Sequence, residues 1–177
     1  MGKRSDFERV ERDFYPTPEA AVLPLLPHLP PNCPFVEPCA GDGKLIDILC
    51  KYGHECVFAS DIEPQRDDIK KADFAELGYF AYQRGHKIIT NPPWNRKILH
   101  PMIERFREVG KGAWLLFDAD WMHTKQAIPY LPYVSKIVSI GRVKWIPDSN
   151  STGKDNCCWY YFSSLKAYRT EFYGRTE

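Results

Sequence analysis

Short apolar runs alternate with amphipathic segments from residue 35 onward. Phe35-Val36, Glu55 to Ser60 and Lys87 to Thr90 predict strands, because each is a short apolar run that ends at a polar or turn-forming loop. Apolar side chains recur at helical spacing from Leu45 to Leu49 and again from Lys97 to Val109. Strands that alternate with helices predict an α/β domain with a largely parallel sheet.

The second half of the chain breaks this alternation. Gly112 to Phe117 predicts a buried strand, and Gln126 to Tyr133 predicts a short helix interrupted by prolines. Ile137 to Trp145 and Cys157 to Ser163 predict two late strands, joined by the polar loop Pro147 to Asn156. Because no helix separates these strands, we expect an antiparallel hairpin at the edge of the sheet.

The length of 177 residues allows one domain with a full core. Prolines crowd the first 34 residues, so we expect 1–34 to wrap on the domain rather than fold alone, and 35–177 to form its body. No run of apolar residues is long enough for a membrane span, and the basic start lacks the apolar core of a secretory signal. These features predict a cytoplasmic protein with no membrane partner.

Charge and cysteine spacing restrict the function further. The formal net charge is +1, so bulk basicity does not indicate a nucleic-acid partner, and any such contact must come from local patches. The six cysteines form no C-x-x-C pair and the five histidines are scattered, which predicts no metal site.

The loop after the first strand carries the first chemical signal. Glu37-Pro-Cys-Ala-Gly-Asp-Gly43 places two glycines at a strand-to-helix turn, where a ligand can approach the backbone. Only the G-x-G part of a dinucleotide fingerprint is present, and Glu37 and Asp42 would repel a pyrophosphate and attract an ammonium or sulfonium. The pattern favours S-adenosylmethionine over a dinucleotide, with a plain glycine turn as the alternative.

Acidic residues follow the next two strands. Asp61 ends the second strand and Glu63 lies just beyond it, so either is a candidate for the ribose hydroxyls, with Asp61 favoured by position. Asp73 would follow the third strand, where a carboxylate can accept from an adenine amino group, and Phe74 could line the ring. Solvated loop acids are the alternative interpretation.

The most specific feature is the tetrapeptide Asn91-Pro92-Pro93-Trp94. Prolines hold Asn91 and Pro92 extended, so the Asn91 side-chain oxygen and the Pro92 carbonyl can both accept hydrogens from one exocyclic amine. Trp94 offers a flat face for a stacked base. A tight Pro-Pro turn with a packed indole is the alternative.

With these motifs the chain resembles S-adenosylmethionine-dependent DNA adenine-N6 methyltransferases, in the short form of phage and prophage members. The resemblance runs through Asp13-Phe-Tyr-Pro-Thr-Pro-Glu19, Phe35 to Gly43, Ser60-Asp61, Asn91 to Trp94, and the late segments Gly141 to Trp145 and Thr152 to Trp159. The tetrapeptide departs from the commoner form, which begins with Asp and ends with Tyr or Phe. Larger relatives also carry a target-recognition domain, which this chain lacks.

The resemblance implies a Rossmann-like class I methyltransferase fold: a mostly parallel seven-stranded sheet with an antiparallel edge hairpin and helices on both faces. Residues 1–34 would cover the cofactor and 35–177 would be the catalytic domain, in a bacterial or phage-infected cell. The implied catalytic residues are Asn91, Pro92, Pro93 and Trp94. The implied cofactor-binding residues are Tyr15, Pro16, Thr17, Glu37, Pro38, Cys39, Ala40, Gly41, Asp42, Gly43, Asp61, Ile62, Asp73, Phe74 and Asn91.

The implied substrate is DNA, either a duplex with the adenine flipped out or a single strand. Candidate DNA contacts are Arg96, Lys97, Arg142, Lys144, Trp145 and Lys154. A second copy of the chain or a separate specificity subunit is a further partner that the missing recognition domain allows. The alternatives are a methyltransferase of a protein glutamine amide or an RNA base, and a catalytically silent subunit that binds cofactor or DNA.

Overall fold

The computed structural model describes residues 15–76, 86–109, 111–146 and 153–175. The first fourteen residues of the predicted cofactor-covering segment lie outside the described residues, as do positions 147–152 of the predicted polar loop.

The described residues form one mixed sheet of eight strands. The strands are β1 (Pro34–Glu37), β2 (Glu55–Asp61), β3 (Lys70–Lys71), β4 (Lys87–Thr90), β5 (Ala113–Asp118), β6 (Val134–Arg142), β7 (Asn156–Phe162) and β8 (Glu171–Tyr173). Their order is β3-β2-β1-β4-β5-β7-β6-β8. β7 is antiparallel to both of its neighbours, and all other neighbouring pairs are parallel. The predicted Rossmann-like α/β class, with late antiparallel pairing, is confirmed.

The sheet differs from the expectation at one edge, because an eighth strand lies outside the late hairpin. β8 pairs in parallel with β6, and the Thr170 hydroxyl just before it donates to the Val134 carbonyl at 2.6 Å. β6 also begins and ends earlier than predicted. Its pairing shifts at Gly141, whose φ of 76° is left-handed, and Val143 to Trp145 leave the sheet.

Three helices and several 3-10 turns connect the strands in the part of the chain that the structure describes. The helices are α1 (Glu19–Val22), α2 (Lys44–Lys51) and α3 (Arg96–Val109). The 3-10 turns are Leu23–His28, Ala119–His123, Lys125–Ala127 and Leu131–Tyr133. The last two replace the predicted helix 126–133, because Pro129 and Pro132 lack the N–H groups that a continuous helix needs. None of the helices described here is long and apolar enough to cross a bilayer.

The strands divide their side chains between two apolar layers. Phe35, Trp114 and Trp159 pack with α1 and α2 on one face of the sheet. Val36 and Tyr160 pack with α3 on the other face. Successive residues of a strand point to opposite faces, so this division is the one that helices on both faces require.

A buried hydrogen bond fixes α1 to the sheet. Trp159 Nε1 on β7 donates to the Ala21 carbonyl at 2.7 Å, and both residues are almost fully buried. Pro18 stands directly before α1 with extended backbone, at φ −75° and ψ 152°. This bond and the packing of Val22 and Leu25 around it therefore help to attach the segment that leads into α1 to the core.

We expect Trp159→Phe to lower the free energy of unfolding by about 2–4 kcal/mol, since it leaves the Ala21 carbonyl unpaired and a gap in the core. Urea unfolding measures this loss. Hydrogen exchange of the α1 amides should also speed up. Trp121→Phe, which removes a buried indole hydrogen bond to His100 in the other apolar layer, is the control and should leave exchange in α1 unchanged.

Candidate functional site

A cleft of about 910 Å³ lies at the carboxyl ends of β1, β2, β3 and β4. This volume is within the range of about 300–1,000 Å³ that small-molecule sites occupy. The lining residues come from the loops that follow these strands, from the segment before α1, from the first turn of α2 and from the first two turns of α3.

The glycine loop after β1 forms one wall of the cleft. Gly41 and Gly43 have φ of 52° and 77°, which lets the chain turn sharply before α2. The Ala40 N–H donates to the Ser60 carbonyl at 3.0 Å, and the Gly41 N–H donates to Asp61 Oδ2 at 2.8 Å. These bonds hold the loop against the end of β2.

Asp61 therefore joins two walls of the cleft. Its Oδ1 accepts from the Glu63 N–H at 2.8 Å while Oδ2 accepts from Gly41. Each carboxylate oxygen keeps a second lone pair, so Asp61 can still accept from a ligand hydroxyl. Both Asp61 and Glu63 line the cleft, and the structure leaves either as a candidate for the ribose.

Glu37 is the most perturbed group in the cleft. Its side chain is 0% exposed, Oε1 accepts from the Cys39 N–H at 3.1 Å, and Oε2 has no hydrogen-bond partner among the described residues. Burial away from water raises the pKa of Glu37 to about 8; the Thr90 hydroxyl and the Cys39 N–H oppose this rise, and the Asp61 charge adds to it. A ligand that brings a positive charge or a donor group to Oε2 would oppose this rise as the Thr90 hydroxyl does, so such a ligand suits this oxygen.

The charge of the lining supports the same conclusion. Five acidic side chains and one lysine line the cleft: Glu37, Asp42, Asp61, Glu63, Asp73 and Lys97. Asp42, Asp61, Glu63 and Asp73 outnumber the lysine and would repel phosphates, and a bound cation would favour loss of the Glu37 proton. The residues present therefore fit a ligand that carries a sulfonium and an ammonium, such as S-adenosylmethionine.

The far end of the cleft is more apolar. Asp73 accepts from the Ala75 N–H at 2.8 Å through Oδ1, and Phe74 packs edge-on against Phe106 with ring centroids 6.1 Å apart. Ile98 and Met102 of α3 complete this part of the wall. A planar base with an exocyclic amine suits such a mixed surface.

The Asn91 side chain lines the cleft from the turn after β4. Its Nδ2 donates to Thr17 Oγ1 at 3.2 Å and to the Tyr15 carbonyl at 3.4 Å. Pro93 also lines the cleft, whereas Pro92 is buried. The tetrapeptide and the segment 15–17 are thus in direct contact.

Trp94 is half-buried beside this turn and does not line the cleft itself. Its ring meets Trp145 edge-on, with centroids 5.8 Å apart, and Trp145 lies 6.3 Å from the Tyr15 ring. These three rings form an aromatic cluster next to Asn91, which we call the aromatic cluster below.

The candidate DNA contacts occupy different environments. Lys97 is exposed and lines the cleft, and Arg142, Lys144 and Lys154 are exposed near the late hairpin. Arg96 is instead engaged inside the protein, where its Nη2 donates to Asp118 Oδ2 at 2.7 Å. Its Nη1 is buried with no hydrogen-bond partner among the described residues.

The structure gathers the predicted cofactor residues around one cleft, with one exception. Gly43 does not line it, because the Arg66 guanidinium packs at the position that a Gly43 Cβ would occupy. Sequence reasoning missed several lining residues: Leu45, Gln65, Ala72, Asn95, Ile98 and Met102. Ile98 and Met102 were expected only in the apolar face of a helix. The roles of all these residues stay predictions.

No grouping of three potential metal ligands occurs within the described part of the chain.

Sequence comparison finds a methyltransferase. The chain is 27% identical over 113 residues to the type II methyltransferase M.VspI of Vibrio sp. (strain 343). The matched region is 52% of this chain and 28% of that enzyme. No model of a known protein family matches the chain.

Structural comparison extends the likeness to almost the whole chain. A predicted RNA methyltransferase from Pyrococcus horikoshii superposes with a TM-score of 0.64 at 16% identity, over 92% of this chain and 91% of that one. The modification subunit of a predicted type I restriction enzyme from Vibrio vulnificus YJ016 gives 0.57 at 13% identity, over 93% of this chain and 47% of that one. The chain therefore has the fold of these methyltransferases.

The raised pKa of Glu37 predicts how stability depends on pH. In the folded protein Glu37 keeps its proton to about pH 8, whereas an ordinary glutamate has a pKa of 4.5. The contribution of Glu37 to the free energy of unfolding is therefore full below pH 4.5 and is lost as the pH rises through 8. We expect Glu37→Gln to match the wild type near pH 4.5 and to exceed it at pH 8.5. The gap should be several kcal/mol, since each pKa unit is worth about 1.4 kcal/mol.

Urea unfolding of both proteins between pH 4.5 and 8.5 measures this difference. Glu76→Gln, at an exposed position, is the control for loss of a carboxyl group. A constant gap between wild type and E37Q across this range would contradict the assignment of a protonated Glu37.

Proposed function

We propose that the chain transfers a methyl group from S-adenosylmethionine to the N6 amine of adenine in DNA. One observation carries this proposal: Asn91 of the tetrapeptide lines the same acidic cleft as Glu37 and Asp61. An acceptor for an NH2 group therefore adjoins a site suited to a cationic methyl donor. The similarity to M.VspI supports the same reaction class.

Each part of the cleft has a role in holding the cofactor. Glu37 would face its positively charged end, and the Gly41 backbone allows close approach. Asp61 or Glu63 would accept from the ribose hydroxyls, and Asp73 with Phe74 would hold the adenine. S-Adenosylmethionine would supply the methyl group on its sulfonium: a carbon–nitrogen bond would form as the carbon–sulfur bond breaks, S-adenosylhomocysteine would leave, and one proton would pass from the nitrogen to solvent.

The tetrapeptide would activate the target amine. Asn91 Oδ1 and the Pro92 carbonyl accept its two hydrogens, which localises the nitrogen lone pair and orients it for attack. The same two oxygens stabilise the positive charge that develops on the nitrogen. The aromatic cluster offers stacking surfaces for a base that has left the duplex.

An RNA base is the second candidate substrate. The predicted RNA methyltransferase from Pyrococcus horikoshii superposes over nearly the full length of both chains. In contrast, this chain covers only about half of the length of the type I modification subunit. The same acceptor pair would serve an exocyclic amine in either nucleic acid.

Mass spectrometry distinguishes these substrates. The chain is incubated with S-adenosylmethionine and unmethylated DNA, RNA or a total protein extract, and the digested products are searched for added methyl groups. N6-methyladenine from DNA supports the proposal, and a methylated RNA base supports the second candidate. Methylated glutamine, or cofactor binding by calorimetry without any transfer, would overturn both.

We expect Asn91→Ala to lower methyl transfer by about 100-fold or more, because it removes one of the two acceptors on the amine. Cofactor affinity should stay within about threefold, since Glu37 and Asp61 are untouched. Tritiated-methyl incorporation and calorimetry measure the two effects. Turnover close to that of the wild type would remove Asn91 from the mechanism.

The environments of Arg96 and Lys97 predict different effects on DNA binding. We expect Lys97→Gln to reduce the slope of log K against log salt concentration by about 0.9, the value for one lost phosphate contact. Arg96→Gln should leave the slope unchanged, because Asp118 already pairs with that guanidinium. Fluorescence anisotropy with a labelled duplex measures both slopes, and a lower slope for R96Q would place Arg96 at the DNA.

A further inference from the structure

Two acceptors fix the orientation of the Asn91 amide. Its Nδ2 lies 3.2 Å from Thr17 Oγ1 and 3.4 Å from the Tyr15 carbonyl oxygen. A carbonyl oxygen can only accept, so the amide group that faces Tyr15 must be the NH2. The Asn91 Oδ1 is thereby turned away from the segment 15–17.

These acceptors are held in place by the chain around them. Thr17 is only 4% exposed. Tyr15 and Thr17 each precede a proline, which keeps both residues extended. The helix that follows is attached to β7 through the bond from Trp159 to Ala21. The Thr17 hydroxyl is therefore a fixed partner for Asn91 rather than a mobile surface group.

Orientation matters because the two ends of an asparagine amide are almost equal in shape and opposite in chemistry. A rotation of the amide by about 180° would exchange the acceptor for a donor with little change in volume. A donor at that position would oppose a target NH2 and favour a target carbonyl.

We propose that Thr17 is a positioning residue that holds Asn91 with its oxygen toward the target, so that the site selects an exocyclic amine over a carbonyl. This inference rests on the proposed function and extends it to substrate selection. The segment before α1 would thus serve the target amine as well as the cofactor.

The first test uses the free protein and no substrate. The side-chain amide signal of Asn91 is identified in a nitrogen-15 NMR spectrum by its loss in N91A, and its hydrogen exchange is measured. We expect Thr17→Val to speed this exchange by about tenfold, since it removes the better acceptor, and Thr17→Ser to keep it within about threefold. Thr170→Val removes a hydroxyl that bonds to Val134 at the far edge of the sheet and is the control.

The second test uses the nucleic acid that the preceding experiments identify as substrate. At saturating cofactor we expect T17V to lower kcat by about 10–100-fold and T17S to restore it. An oligonucleotide with hypoxanthine in place of the target adenine presents a carbonyl instead of the amine. We expect T17V to narrow the preference for adenine over hypoxanthine in binding by about fivefold or more.

The outcomes distinguish a failure of the positioning role of Thr17 from a failure of the proposed function. Equal amide exchange in T17V and wild type overturns the positioning role, whatever the activity. A T17V defect that disappears at saturating cofactor, with base preference unchanged, overturns it as well and leaves Thr17 as a cofactor contact only. If the wild type methylates no substrate, the proposed function fails, while the exchange measurement still decides how the amide is held.

Discussion

The common direction of β2, β1, β4 and β5 is the constraint on which the candidate site depends. Because these four strands are parallel, their carboxyl ends meet at one edge of the sheet. Asp61, Glu37 and Asp118 are the last residues of β2, β1 and β5, and Asn91 follows β4 directly. Side chains that are far apart in sequence are thus brought to one edge of the sheet, where the glycine loop and the tetrapeptide turn complete the cleft.

The distribution of charge over this fold is compatible with the two ligands that we propose for a near-neutral chain. Among the described residues, five acidic side chains and one lysine line the cleft, and the whole sequence has 24 basic and 23 acidic residues. The remainder of the chain consequently carries a surplus of positive charge. A cationic cofactor suits the cleft, while a polyanion suits the outer surface, so a net charge of +1 is compatible with the proposed nucleic-acid substrate.

Local patterns predicted the parts of the molecule that depend on local chemistry. Apolar spacing and the position of the tetrapeptide predicted the limits of α3 and β4. The clustering of Glu37, Asp61 and Asn91 was predicted because the carboxyl ends of parallel strands lie at one edge of a sheet. The pattern did not indicate β8, because its three residues have no apolar run and owe their pairing to Thr170 and β6. Nor did it show that Arg96 is paired with Asp118, since an ion pair between distant residues leaves no trace in spacing.

The bond between Trp159 and Ala21 has a consequence for how the protein is made. It joins residues 138 positions apart, so it belongs to the slowest class of contacts to form. During synthesis α1 leaves the ribosome well before β7, so the Trp159 indole that bonds to it is not yet available. A nascent chain therefore carries a complete glycine loop and Asn-Pro-Pro-Trp turn long before its cleft is closed on the side of Tyr15.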